Sequence, residues 1–460
     1  MNRRQLLKGI AGLAAAALVR SRAAEADYCL WLPFINRGNG DKGMGLSGPS
    51  NLSGLPGRCG GRLWLPQNLL WSPGTIFEDF ENVGDWTFSV GVAEQDVTHV
   101  VSGAASIQMN GSPGARVQMV KNIDATIPSW TLGRLYIYVQ DVTKVAGVRI
   151  YLINGNSDYY TMAFNVGEQA NWGQGLRTGW NLLQFAKTDF TANGSPSWTS
   201  PMTKIQINLT SAAGRAGVVS VDSLIFGVVG QPAIVFSFDD GRVSHYTTAY
   251  QCMQPYRMVA TSYVVSDGIN RWGMTSAQLA ELDSQGWDIG NHTRDHTNLV
   301  TGGLTDEEIT AEFADCKIAL DGLGLTRASM HGSMPFNNWN DACTVDARAA
   351  GMLSIRDDTE VWHRYCGLPH YSWFLWPRYG NMLNDSTTLA EAKARVDNTI
   401  ARQQPLVFLA DGFQDAAGPT DWAISDFQNL VDYIVSLHLP TLTITELYRL
   451  TSGPIVVSHA

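Results

Sequence analysis

Cysteine, histidine and positive charge are all in short supply in this chain. Six cysteines and nine histidines occur in 460 residues, and 16% of positions are charged. No Cys-x-x-Cys is present, which argues against a thiolate zinc site. The N-terminal apolar stretch from Gly9 to Val19 is too short to span a bilayer. Lys and Arg number 32 against 42 Asp and Glu, a formal charge of −10. Nucleic acid and anionic lipid would repel so acidic a chain, whereas a neutral or amino-bearing glycan would not.

What is present begins with an export signal over residues 1–26. Asn2-Arg3-Arg4-Gln5-Leu6-Leu7-Lys8 precedes the apolar stretch, and Ala24-Glu25-Ala26 forms an A-x-A cleavage site. Arg3-Arg4 with Leu6-Leu7-Lys8 resembles a twin-arginine signal, with an ordinary secretory n-region as the alternative. Either implies a periplasmic or extracellular protein with no stable membrane insertion after cleavage. Cleavage removes Arg3, Arg4, Lys8, Arg20 and Arg22 together with Glu25, moving the charge from −10 to −14. Six cysteines in an oxidising compartment allow disulfides, and proximity suggests Cys29–Cys59 and Cys343–Cys366, with free buried thiols as the alternative.

Three further segments follow, as expected of a multidomain chain. Residues 27–75 are irregular and rich in Gly, Pro and Ser. Residues 76–229 carry short alternating runs (105–109, 134–139, 148–153, 159–165, 181–185, 204–209 and 218–226) that predict an all-β antiparallel sandwich. Phe77-Glu78-Asp79-Phe80-Glu81, Gly179-Trp180-Asn181 and Val221-Asp222-Ser223-Leu224 look like jelly-roll carbohydrate-binding modules, which implies a sugar-binding role; a spacer or interaction domain is the alternative. In jelly rolls of this kind Glu78 and Asp222 would hold a structural Ca2+. Trp86, Trp130, Trp172, Trp180 and Trp198 are candidates for sugar stacking or for core, and of the adjacent Tyr159 and Tyr160 only one can face a sugar.

Residues 230–460 alternate strand-like runs (233–238, 258–265, 287–290, 405–410 and 441–444) with helices announced by capping boxes. Those boxes pair Thr275 with Gln278, Thr305 with Glu308, Thr388 with Glu391, and Ser425 with Gln428. Such alternation predicts a parallel α/β barrel with its chemistry at the C-terminal strand ends. Two clusters fall there: Ser237-Phe238-Asp239-Asp240-Gly241 and His292-Thr293-Arg294-Asp295-His296. Two carboxylates and two imidazoles, the latter four residues apart, can bind one divalent metal and leave a base.

These clusters resemble the first two motifs of the polysaccharide deacetylases of carbohydrate esterase family 4, Thr-Phe-Asp-Asp-Gly and His-Ser/Thr-x-x-His, with Ser237 replacing the Thr. The resemblance runs from about Gln231 to Thr451 and implies a distorted (β/α) barrel that removes acetyl groups from an N- or O-acetylated polysaccharide. It implies Asp240, His292 and His296 as metal ligands and Asp239 as general base. Zn2+ suits such a donor set, and Co2+, Ni2+ or Mn2+ would also fit. The ion would activate water and polarise the acetyl carbonyl.

Later family motifs are eroded. Ser333-Met334-Pro335-Phe336-Asn337 keeps the Pro and the aromatic of Arg-x-Pro-Tyr/Phe-Gly but loses the Arg, for which Arg356, Arg378 or His331 are candidates. Phe336, after Pro335, would still supply the oxyanion N–H. Leu409-Ala410-Asp411 stands where the family has Leu-x-His, so Asp411 would be the general acid, with His331, His363 or His370 as alternatives. His245 and Asp295 are read as structural or surface groups, and Trp373, Trp376 and Trp422 as sugar-subsite or core residues. Two rival functions remain: a non-catalytic metal-containing glycan-binding protein, and a hydrolase of a non-sugar amide.

Overall fold

Apolar residues at every second position decide the first half of the chain. In the computed structural model, which describes residues 74–451 apart from 128, 156, 167–174, 177, 231, 361–374 and 379–381, these positions face one another across two antiparallel sheets. The export signal, Cys29, Cys59, Cys366, His363, His370, Trp172 and Trp373 lie outside the described residues, as do the side chains of Trp376 and Arg378. One sheet runs Val92–Asp96, Ser106–Asn110, Val218–Val228, Leu132–Val139, Gly179–Ala186, with Thr75–Glu78 also on Val218–Val228. The other runs Thr191–Asn193, Tyr159–Asn165, Val145–Ile153, Met202–Ser211, Arg116–Ala125, Thr87–Val90. Ile107, Met109, Met119, Ile150, Leu152, Ile207 and Val221 all point into the shared core. Arg116–Ala125 is not legible as a strand because Val120 and Lys121 break its alternation, an apolar residue in the outward row and a charged one in the inward row.

Trp86 and Trp130 are buried in this core, Trp198 stacks on Tyr160 at 3.8 Å, and Tyr160 is buried, so Tyr159 is the outward member of its pair. Glu78 is bound by the Lys121 ammonium at 2.9 Å and by the Phe80 N–H at 3.2 Å. Asp222 accepts from the N–H groups of Val101 (2.6 Å) and Ser102 (3.2 Å) and from the Ser223 hydroxyl (2.8 Å). Protein donors thus occupy both carboxylates, and among the described residues neither belongs to a group of three or more potential metal ligands.

The second half forms a seven-stranded sheet in the order Leu375–Arg378, Ser354–Glu360, His331–Ser333, Asp288–Asn291, Thr261–Val264, Ala233–Phe238, Pro405–Ala410, parallel throughout. Among the described residues no ladder joins its two edge strands, so the sheet is an open, distorted barrel. Ala233–Phe238 is buried at every position, which is why it reads as one unbroken apolar run. Three capping boxes form as the sequence predicts, at Thr275, Thr305 and Thr388.

Three expectations need correction, and Trp422, read as a sugar-subsite or core residue, is decided. The helix expected after Ser425 spans Ile424–Ser436, with Ala423 at its N-cap, so Ser425 lies inside the helix and caps nothing. Thr441 makes a single bridge to Ile234 instead of opening a strand, because the chain turns into the helix Ile444–Thr451. Trp422 is fully buried with its indole N–H on the Thr387 carbonyl at 2.9 Å, a core role. Cys343 is a free thiol packed among Phe313, Met334 and Ile355, so the Cys343–Cys366 bridge is not formed.

The two halves touch through polar groups. Arg402 of the helix Leu389–Arg402 is paired with Asp189 of the sandwich, and Gln184 donates to the Arg402 carbonyl and to Gln404, both at 3.2 Å.

Candidate metal centre

Asp239 and Asp240 leave the strand Ala233–Phe238 where the backbone reverses sharply. The Asp239 N–H is pinned to the Ala410 carbonyl at 3.0 Å, and Asp240 and Gly241 then adopt φ of 72° and 68°. That left-handed turn, strained for an aspartate, sends consecutive carboxylates in different directions. A Cβ on Gly241 would press on Val264 at 3.0–3.2 Å, so the glycine is required for closeness as well as for φ.

The histidine loop is strained in the same way and held from behind. Thr293 and His296 both have φ of 66°. Glu312, buried on the helix Asp306–Gly322, accepts from the N–H groups of Arg294 and Asp295, each at 3.1 Å. The Arg294 guanidinium closes on the same carboxylate at 2.5 Å.

These two turns bring Asp240, His292 and His296 together, with their ligand atoms all within 4.8 Å of one another. Asp240 Oδ1 lies 3.5 Å from His292 Nε2 and 3.3 Å from His296 Nε2. Asp240 Oδ2 is taken by Arg242, through Nε at 3.0 Å and Nη2 at 2.8 Å. His292 Nδ1 faces the Ser333 carbonyl at 3.1 Å and the Ser333 hydroxyl at 2.6 Å, which leaves the Nε2 lone pair for the centre. Burial opposes ionisation of Asp240, but His292 and Arg242 outweigh it and hold the carboxyl well below the usual range. Burial likewise works against charge on His292, yet the neighbouring Asp239 and Asp240 raise it, while burial and the nearby His292 lower His296. An ionised carboxylate oxygen and two imidazole nitrogens at these separations fit a divalent cation.

Asp239 faces the other way. Its carboxylate is paired with Arg356 and accepts from the Ser333 hydroxyl at 3.3 Å. Arg356 is fully buried on the strand Ser354–Glu360 and lies over the Tyr263 ring at 5.5 Å. Of the three candidates to replace the absent motif arginine, this strand therefore supplies the partner. His331 is elsewhere: it is buried, hydrogen bonded to the Ser354 hydroxyl at 2.8 Å and packed against Tyr448, and burial pushes it down to about 4.

Asp411 sits at the same end of the sheet, 3.8 Å from Arg242 Nη2. Burial, reinforced by the charges of Asp239 and Asp240, pushes its carboxyl up to about 7 against the pull of Arg242 and His292. His245 is fully buried, contacting the Asp411 carbonyl through Nε2 and the Ser262 hydroxyl through Nδ1, both at 2.8 Å, and burial lowers it to about 4. The neutral ring thus braces the Asp411 backbone. Asp295 accepts from the Thr297 N–H at 2.9 Å and faces the cleft without joining the triad.

Several contributors went unread in the sequence. Arg242, directly after the Asp-Asp-Gly turn, bridges Asp240 to Asp421 at 3.3 Å; Glu312 and Ser333 brace the ligands. Phe336, with φ of 55° and 61% exposed, lays its ring 4.5 Å from His296, while Pro335 is buried beneath it. Asp240, Arg242, Val243, Trp272, Asp295 and His296 line an open cleft of about 620 Å³.

Parts of the chain are similar to known proteins. YxkH of Bacillus subtilis (strain 168), whose name assigns it provisionally to the polysaccharide deacetylases, is 29% identical over 122 residues, 26% of this chain and 43% of that protein. The chain thus spans less than half the length of that curated relative. The Xyl-CE4 domain of a multidomain xylanase from the hindgut metagenome of Trinervitermes trinervoides is 16% identical, with a TM-score of 0.34 over 50% of this chain and 95% of that one. A family 11 carbohydrate-binding module from Clostridium thermocellum, in complex with a mixed-linked tetrasaccharide, is 13% identical, with a TM-score of 0.26 over 34% of this chain and 97% of that one. Residues 227–355, the stretch that holds Asp239, Asp240, His292, His296 and Ser333, match the family model for polysaccharide deacetylase.

Proposed function

We propose that this chain is an exported, metal-dependent hydrolase that removes acetyl groups from an N- or O-acetylated polysaccharide. The observation that carries the proposal is the convergence of Asp240, His292 and His296 beside a second, separately paired carboxylate, Asp239. In this reading Asp240, His292 and His296 hold the ion, Zn2+ by preference for two nitrogens and a carboxylate. When bound, such an ion supplies Lewis acidity toward water and toward the acetyl carbonyl.

The chain's own groups supply the remainder. Asp239, paired with Arg356, is the general base, and the Ser333 hydroxyl fixes its orientation relative to His292. Asp411, at the same end of the sheet and with its carboxyl pushed up by burial in the metal-free chain, is assigned as the group that gives a proton to the leaving amine or alcohol. The N–H of Phe336, whose φ is 55° and whose ring lies 4.5 Å from His296, is assigned as the oxyanion donor. Arg356 and Asp411 thereby fill the places left by the family arginine and histidine, which favours turnover over a purely binding role. The sandwich is assigned a glycan-binding, jelly-roll role that would hold the chain on the polymer.

Acetate release from a panel of acetylated glycans tests the proposal. Activity should disappear with chelator, return with Zn2+ or Co2+, and fall at least a hundredfold in Asp239→Asn and His292→Ala; full activity in either variant would refute the mechanism.

A further inference from the structure

The described residues include one exposed tryptophan, and it stands at this site. Trp272 is 54% exposed, whereas Trp287 and Trp422 are fully buried. It lines the cleft together with Asp240 and His296, and the exposed Val243 lines the same cleft. Phe336, also exposed, lies against His296. Three large apolar side chains from three different loops are thus left facing water around one polar centre, an arrangement that costs solvation unless a ligand covers them.

Trp272 is also held in place. Its turn is closed by hydrogen bonds from the Arg271 and Gly273 N–H groups to the Gly268 carbonyl, both at 3.0 Å. The Met274 N–H donates to the Gly241 carbonyl at 3.0 Å, which ties the turn to the loop that carries Asp239 and Asp240. The indole lies directly on Gly268, where a Cβ would come within 2.6 Å of the ring. One face is therefore packed on backbone and the turn is fixed before any ligand arrives.

We propose that Trp272, with Val243, forms a sugar subsite that stacks on the apolar C–H face of a pyranose ring in the same glycan chain as the acetylated sugar. The proposal rests on the deacetylase reading and specifies its substrate as an oligosaccharide rather than a single acetylated sugar. Charge in the cleft agrees with a neutral sugar, because Arg242 is already engaged by Asp240 and Asp421.

The test uses the full chain loaded with Zn2+ and N-acetylglucosamine oligomers of increasing length. In the wild type kcat/KM should rise with length. Trp272→Ala should flatten that rise, with KM for the longest oligomer up about tenfold and kcat down less than twofold, and Trp272→Phe should restore most of the loss. Independently, bound oligomer should protect Trp272 of the wild type from N-bromosuccinimide, read by mass spectrometry. An unchanged length dependence in Trp272→Ala, or an unprotected Trp272, overturns the subsite and leaves the deacetylase reading standing. No acetate from any oligomer or from acetylated xylan overturns both.

Discussion

Asp239 and Arg356 form a buried ion pair, and such pairs are costly to break from one side. Arg356→Met leaves an uncompensated carboxylate that is 4% exposed, so stability should fall by roughly 3–5 kcal/mol. Urea unfolding of the metal-free protein measures this, and adding Asp239→Asn should recover much of the loss. Asp411 offers a second test with an unambiguous sign. Its folded pKa, about 7, is raised above the ordinary carboxylate value of about 4. The associated stability is fully present below about pH 4 and is lost as pH rises through about 7. Metal-free wild type should therefore lose stability relative to Asp411→Asn across that window, and a constant difference between the two would contradict the assigned burial. Of these residues, the sequence exposed Asp239 and Asp411 by position, but Arg356 only as one of three candidates. It lies 117 positions from its partner, and no local pattern reports a contact at that distance.

At the scale of elements, the turns that carry the ligands are shaped by strain, and the helices behind them by capping. Thr305 accepts from the Glu308 N–H at 3.3 Å and starts the helix from which Glu312 holds the histidine loop. Thr305→Ala should cost about 1 kcal/mol. Ser425→Ala, within a helix whose N-cap is Ala423, should stay within about 0.5 kcal/mol of wild type. Thermal unfolding of the two variants side by side separates a capping serine or threonine from one that merely resembles it. The resemblance is instructive: Ser425 and Gln428 have the right spacing, but the preceding strand Asp421–Ala423 delivers the chain directly into the helix. The short strand His331–Ser333 was likewise illegible, since three residues show no periodicity, yet its last residue, Ser333, bonds both His292 and Asp239.

For the whole molecule, an ion held by Asp240, His292 and His296, as proposed, would cross-link loops from separate strands. An ion that binds the folded state and not the unfolded chain should stabilise it by about 2.7 kcal/mol at a hundredfold excess over Kd. Calorimetry with Zn2+, with chelator and with His292→Ala measures this: the variant should lose the metal-dependent rise in Tm. The sandwich and the barrel meet through Asp189, Gln184 and Arg402, a polar seam in which the Asp189 side chain and Gln184 are buried. Arg402→Ala should leave each core intact and increase proteolytic cleavage near Gly230, whose N–H is held by Gln403 at 3.2 Å.

The sequence by itself determined the division into an alternating β half and a strand-helix half, three of the helix starts, and the two clusters that converge as a candidate metal centre. Each is encoded within a few neighbouring residues, as side-chain period, cap spacing or a turn after a buried strand. Tertiary structure alone decided that Arg356 is the partner of Asp239, that Arg242 turns one oxygen of Asp240 toward the histidines, that Cys343 remains a thiol, and that Trp272 stands exposed at the cleft. Those outcomes depend on which strand ends the sheet sets side by side, and that is a property of packing among residues far apart in the chain.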